Sequence, residues 1–318
     1  MSNKVKVAVI GYGHLGKWHC DKAAASVQAN FIAIVEPFES NRLLAEKKFP
    51  NIKVVNDISQ IINDIDAAII ATPTSTHFKL TKYLIENKKH VFCEKPLCDT
   101  YEEVLQLEKL IKTNQLVLQV GHSERFHGIW PKVKEHIKNL EANVHIRMNR
   151  IASFKGRAVD VDVVQDLMIH DLDLLNFLFD KEAVSITAFG KKIRTQKYDF
   201  AHTSIKYKDG TVAHVSASRN HVQEVRDLEI YSSEGCYYVD LMRNQIAFAS
   251  KSGADGKYVV TEEYEKRDHL QIEQNFFYES IIDKKEPTVG FEDGKKAIFL
   301  IDKTLQSINL NKEIIIKS

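Results

Sequence analysis

Lys4-Val5-Lys6-Val7-Ala8-Val9-Ile10-Gly11-Tyr12-Gly13-His14-Leu15-Gly16 decides the fold. Residues 4–10 read as a buried strand. They run into a GxGxxG loop, and residues 17–27 then carry a helical pattern. The loop alone says little, but a strand before it and a helix after it are what its mechanism requires. Gly11 permits a tight turn, Gly13 lets backbone approach a pyrophosphate, and Gly16 allows close helix–strand packing. The helix N-terminus then offers free N–H groups and a positive dipole end to phosphate. Tyr12, His14 and Leu15 complete the candidate dinucleotide-contacting loop.

A second strand over residues 30–35 ends in Glu36, twenty positions beyond Gly16. An acid there accepts hydrogen bonds from the adenosine ribose hydroxyls and repels a 2′-phosphate. Residues 37–41 contain no Lys or Arg, and Arg42 is the first, which predicts NAD in preference to NADP. Further strands are expected at residues 52–55, 67–71, 90–93 and 117–120, with helical segments between them. Thr72-Pro73-Thr74-Ser75-Thr76-His77 falls at a strand end, where open parallel sheets present ligand contacts. Thr72, Pro73, Thr74 and His77 are therefore candidate cofactor contacts. His77 is expected to begin or cap the next helix, with no catalytic role. Glu94-Lys95-Pro96 follows the strand at 90–93, where all three are candidate cofactor contacts, and proline restricts the lysine before it. The alternation predicts an α/β doubly wound, largely parallel sheet, the Rossmann arrangement, over residues 1–122.

The pattern changes after Gly121. A helix at 130–140 and a strand-like stretch at 143–153 precede a run of strands with alternating faces at 183–190, 203–207, 211–218, 227–232, 235–240 and 244–249. Turns such as Lys208-Asp209-Gly210 join neighbours as hairpins. With no crossover helices among them, residues 123–318 read as an α+β domain with a largely antiparallel open sheet, helix-covered on one face. Its other face would be an association surface, so a homodimer or homotetramer is expected. Helices at 269–284 and 293–310 close the chain.

Between the stretch at 143–153 and the run of strands lies Asp162-Val163-Val164-Gln165-Asp166-Leu167-Met168-Ile169-His170-Asp171-Leu172-Asp173. It lacks Gly and Pro and suits a half-buried helix over 162–179. Asp166 and His170, four apart, would share a face with Cβ atoms roughly 5–6 Å apart, and Asp173 would follow on the same stripe. A carboxylate one turn before a histidine orients the imidazole and supports its charged form, as a general base requires. A solvated polar stripe is the plain alternative.

Composition bounds the possibilities. The 318 residues are 44% hydrophobic and 27% charged with formal net charge +1, and no basic block suggests nucleic acid. No apolar run approaches the roughly 20 residues of a membrane span. The first residues lead straight into a strand pattern without a signal-peptide core. The four cysteines, Cys20, Cys93, Cys98 and Cys236, make neither a disulfide framework nor a metal-ligand spacing, and a cytoplasmic protein is expected. His19, His202 and His214, and the side chain of His14, are expected to be structural or solvent-facing. Trp18 and Trp130 are expected in the core.

With the glycine loop, Glu94-Lys95-Pro96 and Asp166…His170 in this order, the chain resembles the glucose–fructose oxidoreductase / inositol dehydrogenase / MocA family over essentially its whole length. The resemblance implies an NAD-dependent sugar dehydrogenase. Lys95 matches the lysine contacting the reacting hydroxyl, His170 the general acid/base, and Asp166 the acid that orients it or the substrate. Val120-Gly121-His122-Ser123-Glu124-Arg125-Phe126, the Asp162–Asp173 run and Ser216-Ala217-Ser218-Arg219 resemble the branch that oxidises C3 of UDP-N-acetylglucosamine or its uronic acid. Arg125, Arg157 and Arg219 are candidate diphosphate ligands, since guanidinium suits phosphate. Two other functions occur on this scaffold, an NAD-sensing regulator and an NAD-using glycosidase. Regulators tend to lose the lysine or the histidine, and this chain keeps both.

Overall fold

The structure, a computed structural model, describes residues 4–138, 140, 143–156, 159, 161–254 and 257–317. Among these, the strands are β1 (Val5–Ile10), β2 (Ala29–Val35), β3 (Lys53–Val55), β4 (Ala67–Ile70), β5 (His90–Glu94), β6 (Leu118–Gly121), β7 (His145–Ile151), β8 (Ala183–Lys191), β9 (Phe200–Tyr207), β10 (Val212–Ser218), β11 (Val225–Ser232), β12 (Gly235–Asp240), β13 (Gln245–Ala254), β14 (Lys257–Glu263) and β15 (Ile314–Ile315). The α-helices are α1 (His14–Ala25), α2 (Glu39–Lys48), α3 (His77–Glu86), α4 (Tyr101–Ile111), α5 (Trp130–Ile137), α6 (Ile169–Phe179), α7 (His269–Asp283) and α8 (Phe291–Leu310).

Compactness divides the chain into two units. The first runs to Ser123 and takes back Asp268–Ile298; the second holds Glu124–Arg267 and the chain from Phe299. The chain thus returns to its first unit after β14, which a division into consecutive segments at 122/123 does not express.

In the first unit, six strands pair in parallel in the order β3-β2-β1-β4-β5-β6. Val7, Ala8 and Val9 are fully buried, as expected of a parallel strand covered on both faces. The order reverses between β1 and β4, the point where ligands bind in open α/β sheets. From the returning segment, Phe277 and Tyr278 of α7 join Val5, Val7, Val9 and Tyr12 in one apolar cluster.

The second unit carries a nine-stranded sheet ordered β14-β13-β12-β11-β7-β10-β9-β8-β15. It is antiparallel except at β7–β10, which pair in parallel because β7 enters between β10 and β11. The sheet is thus largely antiparallel, as expected, with one parallel pair. The connection from β7 to β8 carries α6, the helix that allows the crossover. Strand β14 is a departure. It pairs antiparallel with β13 and was not anticipated. Residues alternate in β7: Ile146 and Met148 are buried, whereas His145 and Arg147 are exposed.

Candidate active site

The glycine loop of the first unit is built by close approaches. Gly11 has φ +97°, and a Cβ there would sit 2.6 Å from the Ala71 carbonyl oxygen. At Gly16 a Cβ would meet the Gly11 oxygen at 2.1 Å. Gly13 differs, since a Cβ there would meet nothing within 4 Å. It caps α1 without a side-chain partner, leaving the backbone of the helix N-terminus for a ligand. Gly11 and Gly16 therefore serve packing, and Gly13 keeps a cradle open, which fits a dinucleotide.

Glu36 is buried at the end of β2. Its carboxylate accepts the Tyr12 N–H at 2.7 Å and the Phe38 N–H at 2.9 Å, joining the glycine loop to the β2 end. Each oxygen keeps a second lone pair for a ribose hydroxyl. Arg42 also reaches this turn, donating to the carbonyls of Glu36 and Pro37 at 3.1 and 2.6 Å. Its nearness is hidden in the sequence because a helical turn folds it back. His14 is exposed with its ring 4.8 Å from that of Trp18. Trp18, expected in the core, is 52% exposed because α1 presents this face outward; Trp130 is buried as expected.

Thr72, Pro73 and Thr74 follow β4. The Thr72 and Thr76 hydroxyls lie 2.6 Å apart, and Thr76 donates to the Pro73 carbonyl at 2.8 Å. His77 opens α3 as expected, but its ring is buried against the carbonyls of Thr72 and Pro96. Glu94 is turned inward. Its Oε1 lies 2.8 Å from His19 Nε2, Gln274 binds His19 Nδ1 at 2.7 Å, and Tyr278 donates to Gln274 at 3.0 Å. The other oxygen of Glu94 accepts the Lys95 N–H at 3.1 Å. Glu94 thus fixes the lysine's backbone, a role that spacing does not reveal because His19, Gln274 and Tyr278 are remote in the chain. Lys95 is half-buried, and its peptide bond to Pro96 is cis.

In the second unit, the expected helix over 162–179 begins instead as a π-helix, Val164–Met168, and continues as α6. Apolar periodicity does not distinguish the two. π-Segments of this kind recur at functional sites. Across residues 163–175 only Asp166, Leu167 and His170 are partly exposed. Asp173 does not share that stripe. It is buried, and both its oxygens take Arg125, from Nε at 2.7 Å and from Nη2 at 2.6 Å. Arg125 accordingly braces α6 from inside rather than standing at the surface. Arg150 of β7 likewise holds Asp171 at 2.9 Å and Glu124 at 3.3 Å. Burial pushes the Asp171 carboxyl up, against the opposing pull of Arg150. Arg219 is buried on Asp199 at 2.8 Å, and Asp199 also accepts the N–H groups of Ile193, Arg194 and Thr195. These contacts hold the Asp199 carboxyl well below the ordinary carboxylate range despite its burial. Arg157 lies outside the described residues.

Comparison with known proteins identifies the fold's owner. The family model described as an oxidoreductase family with an NAD-binding Rossmann fold matches residues 5–122, and the GFO/IDH/MocA C-terminal domain matches 140–238. UDP-N-acetylglucosamine 3-dehydrogenase of Acidithiobacillus ferrooxidans is 31% identical over 87% of this chain and 88% of its own. The chain belongs to the Gfo/Idh/MocA family. It is an NAD-dependent dehydrogenase of the sugar and polyol type. Myo-inositol 2-dehydrogenase of Thermotoga maritima is 26% identical over 93% of this chain and 94% of its own. A crystal structure of the A. ferrooxidans enzyme superposes with TM-score 0.87 at 27% identity, covering 96% of this chain and 98% of that one. Scyllo-inositol dehydrogenase of Lactobacillus casei, with bound NAD(H) and scyllo-inositol, matches with TM-score 0.83 at 20% identity over 98% and 99%, a likeness of fold. Among the described residues, no helix is long and apolar enough to cross a membrane.

Proposed function

We propose that this dehydrogenase acts on the C3 hydroxyl of a nucleotide sugar of the UDP-N-acetylglucosamine type. The reading rests on Asp166 and His170 being the two polar side chains partly exposed across residues 163–175, in a chain 31% identical to an enzyme named for that reaction. The secondary carbinol becomes a ketone, losing a hydride from carbon and a proton from oxygen. Bound NAD supplies the hydride acceptor. His170 takes the hydroxyl proton, with Asp166 orienting the imidazole or the substrate. The Lys95 ammonium lowers the cost of developing alkoxide charge, and the backbone bond from Lys95 to Glu94 limits where that ammonium can go. The cofactor contacts are the glycine loop around Gly13, the Glu36 carboxylate and the Thr72–Thr74 turn.

A cyclic polyol is the second reading, favoured by the inositol dehydrogenases that match over nine-tenths of the chain. Assaying UDP-N-acetylglucosamine, its uronic acid, myo-inositol and scyllo-inositol with NAD separates the two. Turnover of an inositol with none of either UDP-sugar would overturn the nucleotide-sugar assignment.

The protein is further read as a homo-oligomer through the outer face of the second sheet. That face carries the partly exposed rings of Tyr231 on β11 and Tyr238 on β12, beside an ion pair between Arg147 and Glu229 at 3.1 Å. A twofold can lay such a face on its own copy. A monomer in light scattering at micromolar concentration would contradict this.

A further inference from the structure

His77 has a ring nitrogen on each of two backbone carbonyls. Nδ1 lies 2.7 Å from the Pro96 oxygen and Nε2 lies 2.9 Å from the Thr72 oxygen, with the residue 1% exposed. A carbonyl oxygen only accepts, and a neutral imidazole carries one N–H. In either neutral tautomer, one nitrogen lone pair would therefore face a carbonyl lone pair at hydrogen-bonding distance. Protonating both nitrogens turns both contacts into charge-assisted hydrogen bonds. We propose that His77 is held as an imidazolium at neutral pH, clamping the loop after β4 to the loop after β5 and acting as the positioning residue for Lys95.

The surroundings of the ring are consistent with that charge. Burial pushes the imidazole down, but the Cys93 sulfur beside it and the two carbonyls push it up and prevail, to about 9. Cys93, from β5, is the titratable neighbour acting on it. The loops on either side contribute the Thr72 and Pro96 carbonyls. The N-terminal dipole of α3, where His77 is the first residue, opposes the charge. The clamp also completes a bracket around Lys95. On the N-terminal side Glu94 accepts the Lys95 N–H, and on the C-terminal side His77 holds the next carbonyl. At the Thr72 end, the paired hydroxyls of Thr72 and Thr76 stiffen the other loop.

The proposal deepens the assignment of Lys95 but is tested without substrate. Long-range 1H–15N spectra of the labelled full chain are recorded at about pH 8, above the ordinary histidine value of about 6.5. They should show an imidazole with both nitrogens protonated, and His77→Gln should remove it. In that variant, amide exchange at residues 72–76 and 94–98 should quicken together, by about tenfold or more. If His77→Gln does not fold, the doubly protonated imidazole is assigned in the wild type by its nuclear Overhauser contacts to residues of the loops after β4 and β5. Absence of a doubly protonated imidazole in the wild type overturns the proposal. So does such a signal persisting in His77→Gln or making no contact with either loop, and so does exchange that quickens in one loop alone. An inactive protein with the expected spectrum would count against the catalytic assignment and leave the clamp standing.

Discussion

Lys95 and His170 are assigned to the substrate's hydroxyl, and Gly13 and Glu36 to the dinucleotide, so their substitutions should separate in kinetics. Lys95→Ala and His170→Ala should each lower kcat by about 100-fold or more with NADH affinity nearly unchanged, the usual scale of a positioned acid–base group. Stopped-flow turnover with parallel NADH titration checks this, and loss of NADH binding in either variant would contradict the division. Glu36 governs a different choice. Its carboxylate repels a 2′-phosphate, and Arg42 stands at the same turn, bonded to the Glu36 carbonyl. Glu36→Ser should therefore narrow the preference for NAD over NADP, read by calorimetry with both cofactors. An unchanged preference would mean that the acid does not select. At this scale the sequence was legible where local geometry sits inside a short motif, as in the tight glycine loop of Gly11–Gly16. It was illegible where partners are far apart in the chain. The Nε and Nη2 of Arg125 bind Asp173, 48 positions on, a pairing that residue type alone does not reveal.

Among the elements, the loop into α1 and the helix bearing His170 have opposite needs. The loop keeps space open at Gly13 and closes it at Gly16. Gly13→Ala should fold with a stability loss of about 1 kcal/mol or less, the scale of an N-cap change, and bind NADH more weakly. Gly16→Ala should lower the melting temperature markedly, because its Cβ collides with the Gly11 oxygen. Thermal melts with NADH titration distinguish them, and equal stability losses would refute the contrast. The π-helix and α6 are instead held from within by buried ion pairs. Removing one partner strands a charge, so Asp171→Leu should cost about 3–5 kcal/mol in denaturant unfolding. A loss below about 1 kcal/mol would show that Arg150 finds other partners. Periodicity in the sequence located this helix and its half-exposed Asp166 and His170. The π-turn was not visible, because widening one turn leaves the apolar pattern in place.

For the whole molecule, the alternation of strands and helices was enough to foresee a Rossmann sheet followed by a largely antiparallel one. The return of residues 268–298 to the first unit was not foreseeable, since a helix's apolar face does not name its partner. The outer face of the second sheet sets a pH response. Burial lowers His202, with Arg147 adding to it; burial lowers His214, with His145, His202 and Arg147 adding to it. Both fold with values below the unfolded reference of about 6.5. Their contribution is therefore fully present above that pH and is lost as pH falls through the folded values. The melting temperature should decline below about pH 6.5, and His214→Gln should flatten the decline; an equally steep decline in the variant would remove these histidines from the account. The central claim is dehydrogenation of a nucleotide sugar with Lys95 as a catalytic group. Its most direct test follows NADH absorbance after the purified protein is mixed with NAD and UDP-N-acetylglucosamine or its uronic acid, beside Lys95→Ala. The account predicts NADH formation by the wild type with one of these sugars and about 100-fold less by the variant. No NADH with either sugar, or equal rates from both proteins, would contradict it.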